Sequence, residues 1–108
     1  MGSKTDGLIR DLRRFRRKVS QQFGVEKMIL FGSRARGEAH EYSDVDLIVV
    51  SAKFRRKNIV ERASPLHMEW ELDLPVDFLC YTPEELRRLS RRPTLVREAL
   101  RDGIPIPE

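Results

Sequence analysis

The chain has 108 residues, 35% of them charged and 40% hydrophobic, with a formal net charge of +4. This length supports one domain, 1–108, and hardly two, and the lone cysteine, Cys80, excludes an internal disulfide framework. No apolar stretch approaches the ~20 residues of a membrane helix and no signal-peptide core opens the chain, so no membrane association and a cytoplasmic setting are expected.

The first predicted element is a helix over 6–22, where Leu8, Leu12, Phe15 and Val19 form one apolar stripe. Arg10, Arg13, Arg14, Arg17 and Lys18 cover much of the rest. A solvated face is the preferred reading. Without interleaved aromatics or a groove-binding motif, a nucleic-acid patch is allowed but not favoured. Gly24 is the expected stop.

Met28-Ile29-Leu30-Phe31 reads as a short buried strand closed by Gly32-Ser33. Ser33 is the expected N-cap of a following helix, whose free N–H groups and positive dipole end would attract an anion. Arg36, three residues on, falls on the same helical face. Gly32, Ser33 and Arg36 therefore suit a triphosphate, whereas Arg34 reads as a surface charge. Residues 38–43 are a polar loop. A strand follows, in which Asp44 and Asp46 stand two apart and so on one side, roughly 6.5–7 Å from each other along the chain.

Beyond it, Lys53, Arg55, Arg56 and Lys57 form a basic turn. A helix is expected over 56–72, bent or divided at Pro65, with Ile59, Val60, Ala63, Leu66 and Trp70 as its buried face. Trp70 is read as a core anchor and Cys80 as a small core residue. A third strand over 75–80 carries Asp77. Thr82-Pro83-Glu84-Glu85 opens a short helix with a capping box, and Pro93-Thr94 opens a last one ending at Asp102-Gly103. The apolar tail Ile104–Pro107 could pack on its own domain, pair with a sheet edge or dock a partner. The predicted fold is α/β, a mixed sheet of three or four strands flanked by helices.

The chemistry follows from the carboxylates. Two held side by side repel, and hard oxygen ligands beside phosphates imply magnesium, or manganese, as the cation between them. Two such ions about 3.5–4 Å apart can clamp the attacking and leaving oxygens of an in-line displacement. Asp77 would join Asp44 and Asp46 if its strand pairs with theirs. Asp46 precedes four aliphatic residues, where an unpaired charge is costly, so it is hard to read as a solvent-facing bystander. Asp77 could simply face water on an edge strand. Other phosphate motifs fail: Glu38-Ala39 stands where a Walker A loop needs lysine and serine or threonine. His40 and His67 lack a further ligand at zinc spacing.

Gly32-Ser33, ten residues, Asp44-Val45-Asp46 and an aspartate on a later strand together resemble the DNA polymerase beta-like nucleotidyltransferase superfamily. Within it, the chain looks like the minimal, MntA-type nucleotidyltransferases that partner HEPN proteins. The resemblance implies Asp44, Asp46 and Asp77 as catalytic and metal-holding residues, with Gly32, Ser33 and Arg36 binding the nucleotide. It also implies transfer of AMP from ATP to a tyrosine of a HEPN-type toxin, with this chain as the antitoxin. Transfer to a small molecule or nucleic acid, and a non-catalytic antitoxin or binding subunit, are the alternatives. A homo-oligomer is compatible with each.

Overall fold

The computed structural model describes residues 4–40 and 43–108; the loop expected over 38–43 runs through 41 and 42, which lie outside them. Helix α1, Lys4–Phe23, leads into strand β1, Lys27–Phe31, and a single helical turn α2, Ser33–Arg36. Strand β2, Val45–Val50, a 3-10 turn at Ala52–Phe54 and helix α3, Ile59–Glu69, come next. Strand β3, Val76–Tyr81, helices α4, Pro83–Ser90, and α5, Leu95–Asp102, and a short strand β4, Ile104–Pro105, complete the chain. The strands form one sheet in the order β3-β2-β1-β4. β1 runs antiparallel to β2 and β4, while β2 and β3 are parallel, so the sheet is mixed, as expected. A parallel pair needs a crossover, and the 3-10 turn with α3 supplies it.

The pleat divides the core in two. Met28, Leu30, Val45, Leu47, Val49 and Phe78 pack beneath Leu8, Leu12, Phe15 and Val19 of α1 and Leu66 of α3. Ile29, Phe31, Ile48 and Val50 pack on the other side against Leu86 of α4 and Val96 and Ala99 of α5. The apolar stripe read in α1 is the buried one, and Gly24, at φ 58°, ends that helix as predicted. Trp70 is the expected anchor: its ring meets Phe15 edge-on at 5.1 Å and its Nε1–H donates to the Leu74 carbonyl at 2.8 Å.

Three expectations need correction. Ile59 and Val60 are 82% and 70% exposed. Ala63, Leu66 and Trp70 of the expected face do pack on the core. Arg62 fills the inner side of the first turn, where it donates to the Cys80 carbonyl and to Glu85. Second, α3 starts later than expected because Asn58 caps it in a reciprocal box with Glu61. Third, Pro65 sits inside α3 without dividing it. The Pro65 ring removes one backbone bond, and Leu66 anchors the same turn in the core.

The tail pairs with a sheet edge. The Ile106 N–H donates to the Met28 carbonyl at 2.7 Å and its side chain is fully buried. Arg16, the one buried arginine among the described residues, donates to the carbonyls of Ile106 and Glu26, tying β4 to α1 and β1. Arg10, Arg13, Arg14, Arg17 and Lys18 are exposed, in keeping with a solvated face; Lys18 pairs with Glu69 and Glu71.

Candidate active site

β1 ends at Phe31, directly opposite Asp46 on β2. The chain then turns at Gly32, with φ 76° and ψ −159°, a conformation that favours glycine. A Cβ built there would overlap the Asp46 carboxylate, lying 3.2 Å from its Cγ. Gly32 therefore lets the turn rest against the carboxylate.

The helix expected after this turn is a single turn, and its N-cap is Gly32, not Ser33. The amides of Ala35 and Arg36 bond the Gly32 carbonyl, which makes Ser33 the first helical residue. As a result the Ser33 hydroxyl caps nothing, and it has no hydrogen-bond partner among the described residues. Gly37, at φ 73°, closes the turn.

Arg34 departs from its surface reading. It is half-buried, and its guanidinium donates to the carbonyls of Ser43 at 2.9 Å and His40 at 3.4 Å. It thereby straps the loop that delivers Asp44. Arg36 is exposed and paired with Glu38 at 2.9 Å, yet close enough to Asp46 to stabilise its charge.

The parallel register sets Asp46 beside Asp77 on neighbouring strands. Asp77 is both an exposed edge-strand residue and Asp46's partner, so the two readings of it coincide. Asp44 is exposed and stands one residue ahead of β2. The Asp46 carboxyl is pushed above its ordinary value of 3.8, first by burial, then by the charges of Asp77 and Asp44. Arg36 opposes that shift and does not overcome it.

The donors gathered here are all hard carboxylate oxygens whose negative charge Arg36 offsets only in part, which suits magnesium or manganese. Among the described residues no group of three or more His, Cys, Asp or Glu side chains is arranged to hold an ion ready-made. A cation would have to draw the carboxylates in.

Asp46 and Asp77 open onto a cleft of about 520 Å³, a size typical of small-molecule sites, whereas Asp44 and Ser33 are not among its lining residues. Gly32, Arg36, Asp46 and Asp77 line one side, Phe31 and Leu79 the floor. The opposite wall is α5, through Leu95, Glu98, Ala99 and Asp102. Sequence reasoning missed this wall. Its signal is the helical spacing of Leu95, Glu98/Ala99 and Asp102, which marks one face without saying what that face looks onto. Cys80 takes no part: it is partly buried beyond Asp77 on β3, and burial pushes its thiol up to about 12. No helix of the described residues is long and apolar enough to cross a membrane.

The model of the nucleotidyltransferase domain family matches residues 12–105, and the chain belongs to that family. It is 34% identical over 87 residues to a protein of Methanocaldococcus jannaschii provisionally named protein adenylyltransferase MJ1305. The match covers 75% of this chain and 59% of that relative, so the chain spans somewhat over half the relative's length. A crystal structure of a protein from Sulfolobus solfataricus, provisionally named a nucleotidyltransferase, shares the fold. The TM-score is 0.66 at 20% identity, over 97% of this chain and 87% of that one.

Proposed function

We propose that the cleft binds a nucleoside triphosphate, ATP in the leading reading, and transfers its nucleoside monophosphate to a hydroxyl. The acceptor oxygen attacks the α-phosphorus, a new P–O ester bond forms, the α–β phosphoanhydride bond breaks and pyrophosphate leaves. Asp44, Asp46 and Asp77 would hold divalent cations, two magnesium ions or manganese, which supply charge neutralisation and a more acidic acceptor hydroxyl when bound. Asp77, the most exposed strand carboxylate, takes the hydroxyl proton. The Gly32 turn, the Ser33 hydroxyl and Arg36 orient the triphosphate. The single observation that carries this reading is the register pairing of Asp46 with Asp77 beside Gly32, at the mouth of the cleft.

The acceptor we propose is a tyrosine of a HEPN-type toxin, with this chain as a cytoplasmic antitoxin. The relative named a protein adenylyltransferase supports a protein acceptor over a small molecule or nucleic acid. The experiment is to add α-phosphate-labelled ATP and magnesium to a lysate of the source cells, with and without the chain. A labelled protein band, lost with D44N/D46N, is expected. A labelled nucleic acid or small molecule would replace the protein acceptor. Full neutralisation of the toxin by D44N/D46N would move the function to occlusion alone.

A further inference from the structure

We infer that Glu98 is the residue by which the cleft selects an amino-bearing nucleobase; this rests on the nucleotidyl-transfer reading above. The cleft is electrically lopsided. At one side Arg36 and the Gly32 turn stand beside Asp46 and Asp77, where the guanidinium, and cations held by the two aspartates, would favour phosphate oxygens. The wall formed by α5 offers only carboxylates to a ligand, Glu98 and Asp102, one helical turn apart. Arg36 lines the α2 side and no cation among the lining residues stands on the α5 wall, so the triphosphate lies along α2 and the base is left to lie under α5.

The floor there suits a base. Phe31 and Leu79 present an apolar surface, and Ala99 is the small residue on α5 that keeps the space above them open. Leu95, 54% exposed, adds a further apolar side chain to the lining. Of the two carboxylates, Asp102 is already paired with Arg101 at 3.1 Å. The Glu98 side chain makes no hydrogen bond and no close ion pair among the described residues, although Arg101 feels its charge, and it lines the cleft. An ionised carboxylate only accepts hydrogen bonds. It therefore rewards a base that carries an amino group and gives nothing to one that lacks it. The same group on a neutral side chain would discriminate less, because an amide both donates and accepts.

The test compares ATP with purine riboside triphosphate, which keeps the ring system and loses only the amino group. Binding of each is measured by equilibrium dialysis with magnesium, for the wild type, E98Q and D102N. Glu98 is exposed, so its substitution leaves folding intact. The wild type is expected to prefer ATP by about tenfold or more, the scale of one hydrogen bond to a charged group. E98Q is expected to reduce that preference to about twofold at most by weakening ATP alone, while D102N keeps it. A preference unchanged in E98Q, or lost in D102N instead, overturns the role of Glu98. Absence of binding by both nucleotides overturns the nucleotide-cleft reading itself, which separates the two failures.

Discussion

Gly32 and Asp46 occupy adjoining space so tightly that no side chain fits between them. The end of β1 thus carries two constraints, a positive φ at Gly32 and an unobstructed carboxylate opposite it. G32A violates both. The left-handed conformation and the collision together are expected to cost about 1–3 kcal/mol in urea unfolding, together with loss of transferase activity of about a hundredfold or more. A G32A protein with wild-type activity would mean that this turn does not shape the site.

Asp46 is held above its ordinary value, and the sign of its effect on stability follows. A carboxyl with a raised folded value binds its proton more tightly when folded, so it adds stability at low pH. That stability is lost as pH rises from the ordinary value of 3.8 through the raised one. D46N removes the penalty. It is expected to be more stable than the wild type at neutral pH, with the gap closing as pH falls through the raised value and gone below about 3.8. Urea midpoints across pH measure this. Magnesium should raise the wild-type midpoint and move D46N much less.

Arg34 is expected to act at a distance from any ligand. R34A releases the carbonyls of Ser43 and His40 and with them the position of Asp44. Transfer should fall about tenfold through kcat, with KM for the nucleotide little changed and overall stability within about 1 kcal/mol of wild type. An R34A effect confined to KM would instead make Arg34 a ligand of the nucleotide.

The Arg62–Glu85 pair joins α3 to α4 across β3. Arg62 is 12% exposed and contacts Glu85 at 2.7 Å as well as the Cys80 carbonyl at 3.1 Å. R62A leaves the Cys80 carbonyl without its arginine donor and Glu85 with the Thr82 N–H alone, and should destabilise the fold by about 2–4 kcal/mol. The hydrogen bond from Arg62 holds Glu85 below its ordinary value of 4.5, so this stability is present above that value and lost as pH falls through the lowered one. Thermal unfolding of R62A and wild type between pH 3 and pH 7 would show the two curves converging on the acid side.

The sheet and the aspartates were legible because their signals are local. Short apolar runs stop at Gly32 and resume after Asp44, and an i, i+2 spacing fixes one face of a strand. Pairing of β2 with β3 was conditional in the sequence, since register is a property of two segments at once. Long-range partners were invisible for the same reason. Arg34, Arg16 and Arg62 look like surface charges in an arginine-rich chain, yet each binds backbone carbonyls remote from its own helical turn. Ile59 and Val60 failed in the opposite sense: apolar character put them inside, and Arg62 took the space. The α5 wall was unreadable because its acidic and small residues gain meaning only once the helix lies across the cleft.

The most direct measurement uses two labels. The chain, a HEPN-type toxin as the proposed acceptor and magnesium are incubated with ATP labelled on the α-phosphate, and in parallel on the γ-phosphate, with D44N/D46N as control. Nucleotidyl transfer places the α-label on the acceptor, sends the γ-label into pyrophosphate, and does neither in the variant. Transfer of the γ-label to the acceptor, or α-labelling that survives in D44N/D46N, would contradict a carboxylate-centred nucleotidyl transfer in this cleft.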